Sequence, residues 1–193
     1  MMDVLVLPVS RTDAGAEARL RAAIDAHYDV VWRFLRRMGV REAAVEDAAQ
    51  QVLIVFARRI QSIEVEAERS FLIGTALRVA ADHRKQTARQ REVSDEQALS
   101  GWAANEPHPD DEIDERRARQ LLGGILARMP EDLRSVLVMC DLEELTMADA
   151  ASSLAIAPGT VASRLRRARV LFQEIVHDVR TARAVALQAG GHE

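Results

Sequence analysis

Four arginines, Arg164, Arg166, Arg167 and Arg169, crowd six residues near the C-terminal end of this 193-residue chain. Around them Val161, Leu165, Ala168 and Phe172 step by four, three and four. On a helix these apolar side chains make one buried stripe, which leaves Thr160, Ser163, Arg164, Arg166 and Arg167 facing outward. Outward hydroxyl and guanidinium groups suit the DNA major groove, where arginine takes a guanine edge bidentately and the other polar groups hold phosphates. An ordinary solvated helix would show the same composition, so the preceding segment decides. There Thr146 opens a short helix with Asp149 at capping-box spacing, Ala150, Ala151 and Leu154 form its inner face, and the turn Ala155-Ile-Ala-Pro158 follows. Small residues at Ala150 and Ala151 let two helices cross closely, as a helix-turn-helix requires.

A second cationic strip lies earlier. Arg78, Asp82, Lys85 and Arg89 step by four, three and four and share one helical face, which His83, Arg84 and Arg91 broaden. Such a strip fits a nucleic-acid surface, including single strands, and equally fits a solvated helix end favoured by the helix dipole. Asp47, Gln50, Gln51 and Ile54 lie at i, i+3, i+4 and i+7, a polar face with one aliphatic that is either plain surface or a site for a partner helix.

Catalytic chemistry is not expected. His27, His83, His108, His177 and His192 are scattered, there is no Gly-rich phosphate loop, and no metal-ligand spacing occurs. The reading is therefore no enzyme, no metal and no cofactor. The acidic run Asp110-Asp-Glu112 reads as linker rather than cation site. The single cysteine, Cys140, cannot form an internal disulfide, and its apolar neighbours place it in the core.

The elements that carry these faces read as helices throughout. The periodicity predicts helices over about 16–38, 42–60 and 70–91, with Gly39 as a stop and Ser70 as an N-cap. A second group covers 116–129, 131–142, 146–154 and 159–179. Leu121, Leu122, Ile125 and Leu126 are expected on one apolar side of the first of these. Between the groups, residues 92–113 carry two prolines and many carboxylates and read as a linker. Trp102 within it calls for a docking partner.

Charge follows the same division. The net charge is −4, yet residues 14–91 carry +4, residues 92–115 carry −9 and residues 116–180 carry +2. Overall acidity thus leaves two basic segments available to nucleic acid, since the local patch decides the contact. Hydrophobic residues make up 48%, enough for a core, and no apolar run approaches the ~20 residues of a membrane span. The apolar run Val4–Leu7 is cut by Pro8 and is too short for a signal peptide, so a cytoplasmic protein is expected. The expected fold is all-α, with two small domains joined by an acidic flexible linker. The divisions are a 1–15 extension, a three- to four-helix bundle over 16–91, the linker over 92–113, a helix-turn-helix domain over 114–180 and a tail over 181–193.

Several of these blocks resemble extracytoplasmic-function (ECF) sigma factors of the sigma-70 family. Gly159-Thr-Val-Ala-Ser-Arg-Leu-Arg-Arg-Ala-Arg169 is similar to region 4, and Met129-Pro-Glu-Asp-Leu-Arg134 to the segment before it. Glu46-Asp-Ala-Ala-Gln-Gln-Val52 resembles region 2.2, and Phe71 to Lys85 resembles regions 2.3 and 2.4. The resemblance covers roughly 16–176, with both blocks in the family's order.

The resemblance implies a promoter-recognition subunit of RNA polymerase. Region 2 would read and help open the −10 element through Phe71, Arg78, Asp82, His83, Arg84, Lys85 and Arg89, and the loop before Phe71 would capture a flipped base. Region 4 would read the −35 element through Thr160, Ser163, Arg164, Arg166 and Arg167. Asp47, Gln50, Gln51 and Ile54 would meet the core polymerase. The acidic linker would thread through the polymerase with Trp102 as anchor, and a separate anti-sigma factor would supply control, with no membrane insertion. Four positions depart from the family's usual residues: Phe71 for Trp, Arg78 for Asn, Ala162 for Lys and Ala155 for the turn glycine. Arg78 alters the reading of the −10 sequence, and Ala162 removes a phosphate contact.

A stand-alone helix-turn-helix regulator remains the alternative, although the first domain shows no evident ligand pocket, phosphoacceptor or dimer interface. A helical protein-binding adaptor is a further alternative and leaves the arginine-rich helix unexplained.

Overall fold

The structure is a computed structural model that describes residues 14–93 and 111–189. Among the described residues all regular structure is helical, as α1 (Ala14–Arg37), α2 (Glu42–Arg59), α3 (Glu68–Val93), α4 (Asp111–Ala127), α5 (Glu131–Leu137), α6 (Met147–Leu154) and α7 (Pro158–Ala189). The expected linker core, with Trp102, lies outside the described residues.

The first three helices pack on one another through Val31, Phe34, Leu35, Val45, Val52, Phe56, Leu72 and Ile73, all essentially buried. Gly39 takes φ +90° and closes α1 with a Schellman motif, in which Val40 N–H donates to Leu35 O (3.0 Å) and Gly39 N–H to Arg36 O (2.9 Å). The first helix therefore stops where the sequence placed its stop.

Between α2 and α3 the chain makes two short 3-10 turns, Ile60–Ser62 and Val65–Ala67. These carry the chain straight into α3 at Glu68, so Ser70 is not an N-cap. It sits inside the first turn, and its hydroxyl donates to Ala67 O (3.0 Å). Buried Glu68 accepts from Arg19 Nε (2.7 Å), and the same guanidinium donates to Ile63 O. Arg19 of α1 thus fixes both ends of this loop.

The second group packs α5 and α6 on α7 through Val136, Leu137, Ala150, Ala151, Val161, Leu165 and Ala168. Alpha-helical α5 continues into a π-type turn, Val138–Leu142, whose wider winding lets Glu143 N–H donate to Val138 O (2.9 Å). The α6–α7 turn is a second Schellman motif, with Ala155 in the left-handed region (φ 53°, ψ 43°). Thr146 caps α6 by accepting from Asp149 N–H (3.1 Å). Only half of the expected box forms, because Thr146 Oγ1 also donates to the Asp149 carboxylate (2.6 Å), which a short Asp turns toward the hydroxyl.

Several boundaries differ from expectation. Helix α3 runs to Val93 and α4 begins at Asp111, so both ends of the expected 92–113 linker are helical. Helix α7 continues to Ala189 through most of the expected tail, because Thr181 to Ala189 holds alanines and no Gly or Pro. Leu121 is 46% exposed and lies off the apolar side of α4 that Ile125 and Leu126 define. Cys140 is half-buried at the edge of the core, not fully enclosed.

Candidate nucleic-acid interface

The helix-turn-helix presents a narrower face than the periodicity alone predicts. Val161, Leu165 and Ala168 are buried and Phe172 is half-buried, as the stripe requires. Arg166 and Arg167 are fully outward. Thr160 and Ser163 are half-buried, and the Ser163 hydroxyl donates back to Thr160 O (3.0 Å) within its own helix. Arg164 lies back toward α5, with Nε 3.6 Å from the Asp132 carboxylate. Arg169 is not part of the face. It donates twice to Asp141, at 2.8 and 2.7 Å, and this bidentate pair holds α7 against the π-type turn. The hydrogen bonds to Asp141, then its charge, push the Arg169 guanidinium above its ordinary value.

On α3, Arg78, Asp82, Lys85 and Arg89 are all exposed, as their spacing predicts. His83 is half-buried. Arg84 departs from the expected DNA-facing role: it donates to Met38 O (2.7 Å) and to the Glu131 carboxylate at the start of α5. Phe71 is also half-buried, its ring tilted 49° to Phe56 with centroids 6.1 Å apart, so one side of it belongs to the core. On α2, Asp47, Gln50 and Gln51 are exposed and Ile54 is half-buried, a continuous outer face.

The two groups of helices meet directly. Helix α3 packs along α6, and a Cβ added to Gly74 would lie 2.9 Å from Ser153 Oγ, so the missing side chain is what admits α6. A glycine inside a long helix costs about 1 kcal/mol relative to alanine, which is the sequence signal that could have flagged this approach. Beside the contact lies a cleft of about 410 Å³ whose walls include Phe71, Gly74 and Arg78 of α3 and Asp149, Ser152 and Ser153 of α6.

Glu143, 2% exposed, is the buried centre of this junction. It accepts from Arg37 of α1 (2.5 Å) and Arg69 of α3 (3.4 Å). Burial pushes its carboxyl above the ordinary range, opposed by Arg37, Arg69 and Arg33. Arg134 of α5 is buried next to the Gly39 turn. Burial and then neighbouring Arg84 lower its pKa, and Glu131 opposes them. Nothing in the sequence alone distinguished Glu143, Arg37 or Arg69 from the chain's other charged residues.

Two exposed basic faces thus lie on different helices, one on a long helix of a bundle and one on the second helix of a helix-turn-helix. The family comparisons agree with that division. Sigma-70 region 2 matches residues 23–90, and Sigma-70, region 4 matches residues 119–171. The chain is 32% identical over 176 residues to the ECF RNA polymerase sigma factor SigL of Mycobacterium tuberculosis, covering 86% of this chain and 96% of that protein. It is 24% identical over 160 residues to the ECF RNA polymerase sigma factor SigE of Mycolicibacterium smegmatis, covering 82% of this chain and 62% of that one.

Among solved structures, the fold is shared with the sigma factor RpoE in complex with the anti-sigma factor NepR from Bartonella quintana. That match has a TM-score of 0.65 at 19% identity, covering 81% of this chain and 96% of that one. It is shared also with CnrH in complex with the cytosolic domain of CnrY, with a TM-score of 0.58 at 16% identity over 86% and 99% of the two chains. This chain belongs to the ECF sigma factors of the sigma-70 family. It is an RNA polymerase sigma factor for promoter-directed transcription initiation.

Proposed function

We propose that the α3 strip of Arg78, Asp82, Lys85 and Arg89 engages the −10 element and helps open it, while α7 reads the −35 element through Arg166 and Arg167. The observation that carries this is the separation of two exposed basic faces onto two different helices. Phe71 and the loop anchored by Arg19 line a cleft of about 410 Å³, room enough for an extruded base, whose unstacking costs a few kcal/mol that a fitted pocket must offset. Thr160, Ser163 and Arg164 support the α7 face from its half-buried margin. The α2 face of Asp47, Gln50, Gln51 and Ile54 docks core polymerase.

The protein acts without catalytic chemistry or cofactor of its own and works in the cytoplasm. Among the described residues no helix is long and apolar enough to cross a membrane. Two structural relatives are held in complexes, one with the anti-sigma factor NepR and one with the cytosolic domain of CnrY, and this supports a separate anti-sigma protein as the regulator here.

The test is transcription in vitro with core polymerase, the purified chain and a pool of genomic promoter fragments. Discrete starts that require the chain and share −35 and −10 elements are expected. Absence of core binding and of starts, with footprinting of duplex DNA by the chain alone, would replace this reading with a stand-alone regulator.

A further inference from the structure

The loop between α2 and α3 is rooted at its start and open at its tip. Ile60 and Ile63 are buried in the bundle. Beyond them Glu64, Val65 and Glu66 are exposed, and Val65 keeps 62% of its surface in water. The short-range bonds here are modest. Ser62 Oγ donates to Arg59 O (2.8 Å), Ala67 N–H to Glu64 O (3.0 Å) and Ile63 N–H to Ile60 O at a long 3.4 Å. Such bonds do little to select one shape for an exposed tip, because every residue held there gives up backbone entropy.

Arg19 supplies a constraint from another helix. Its Nε donates to the Glu68 carboxylate (2.7 Å) and its Nη2 to Ile63 O, across 49 and 44 residues of sequence. One planar guanidinium therefore brackets residues 64–67, with an acceptor on each side of the tip. Glu68 is only 5% exposed, so Arg19 stands in for the water that this carboxylate has lost. The fork of an arginine holds two acceptors in fixed directions, which a lysine point charge does not do.

The bracketed loop is one wall of the cleft beside Phe71. Ser62, Ile63, Glu64 and Ala67 line it, together with Phe71 and Arg78 of α3. Arg19 holds this wall without lining the cleft itself.

We propose that Arg19 is a positioning residue for −10 recognition: through Ile63 O and Glu68 it keeps the 60–67 loop in the shape that captures an extruded base, and it does so without touching DNA. This rests on the reading of the cleft as a base pocket. A loop that holds the capturing shape in only one molecule in ten binds that base about tenfold more weakly, since apparent affinity scales with the competent fraction. A strand with no base at that position gains nothing from the loop and is indifferent to it. Loss of Arg19 thus erodes base preference and leaves the remaining affinity intact.

The test uses holoenzyme assembled from core polymerase and the full chain, with forked promoter fragments that carry a duplex −35 element and a single-stranded −10 strand. Each −10 position is presented with its native base and as an abasic site, and the position where base removal weakens binding most marks the captured base. Arg19→Gln should bind the native fragment about tenfold more weakly and the abasic fragment equally well, so the ratio of the two affinities falls about tenfold.

Arg19→Gln leaves Glu68 buried without its cation, which can unfold the chain. Arg19→Met/Glu68→Leu replaces the pair by apolar side chains and still removes the donor to Ile63 O. It should keep the wild-type urea midpoint, since apolar replacement of a buried pair is often neutral or stabilising, and should show the same tenfold fall in the ratio. A folded variant with the wild-type ratio would overturn the proposal. Equal weakening of native and abasic fragments, with a shallower salt dependence, would also overturn it and make Arg19 a direct phosphate contact. Wild-type holoenzyme that binds native and abasic −10 strands alike at every position would instead sink the base-pocket reading.

Discussion

Arg37 donates a hydrogen bond to Glu143 across 106 residues of sequence, and Glu143 is 2% exposed where it accepts it. One carboxylate thus ties the end of α1 to the segment between α5 and α6, with Arg69 of α3 as its second partner. A buried charge that loses a partner is poorly compensated, so truncation here is costly.

Arg37→Met is expected to destabilise the chain by about 3 kcal/mol, the lower part of the range for breaking a buried pair by removing one partner. Urea unfolding with the slope compared between variants measures it. The pH dependence has a definite sign. Because burial raises the Glu143 pKa in the folded chain, its contribution is fully present below the ordinary carboxylate range and is lost as pH rises through the raised value. Removing Arg37 takes away a group that opposes this rise, so the Arg37→Met deficit should grow from acid toward neutral pH. A deficit that is the same at both would show that the pair contributes nothing electrostatic.

Arg167→Ala should weaken binding to a −35 duplex, and the pattern of loss identifies the contact. A bidentate base contact costs about 1–3 kcal/mol and relaxes sequence preference at one position, whereas a phosphate contact lowers the salt slope by about one for all sequences. Arg164→Ala should cost less, since Arg164 lies against Asp132 rather than fully outward. Binding titrations over a salt series, with the two variants side by side, distinguish these cases. Equal losses would mean that Arg164 leaves Asp132 when DNA binds.

Ala155→Gly should stabilise the chain. Ala155 sits at φ 53°, a left-handed conformation in which Cβ crowds the following carbonyl. Glycine removes that strain but gains freedom in the unfolded chain, leaving a net gain of about 0.5–1 kcal/mol. A higher urea midpoint at constant slope is the expected outcome. A lower midpoint would show that the methyl group packs usefully in the turn.

Cys140 should react slowly with iodoacetamide at neutral pH. Burial and then Asp141 push its thiol up, and Arg169 opposes them only in part, so less thiolate is present than for a free cysteine. Alkylation followed by mass spectrometry, against a small-molecule thiol, gives the comparison. Asp141→Asn releases Arg169 and removes the adjacent negative charge, and should speed the reaction.

Much of this protein is written in local pattern. The buried stripe of Val161, Leu165 and Ala168, the Thr146 cap and the Gly39 stop depend on neighbours within a few residues, and such short-range physics is legible without a fold. The outward positions of Arg78, Lys85, Arg89, Arg166 and Arg167 followed from the same periodicity. Helix ends at Glu68 and Ala189 were less legible, because a 3-10 turn and an alanine-rich extension move a boundary without breaking the apolar pattern.

What tertiary structure decided is which charges meet. Arg84 and Arg164 carry the same side chain as the outward arginines, yet one is drawn to Glu131 and Met38 O and the other to Asp132. Spacing along a helix says which face a residue occupies, but not what stands opposite that face. Glu143 was one acidic residue among 30 until the packing of α3 on α6 enclosed it between Arg37 and Arg69. Long-range ion pairing depends on the meeting of segments far apart in the chain, and that information resides in the packed molecule rather than in any local stretch of sequence.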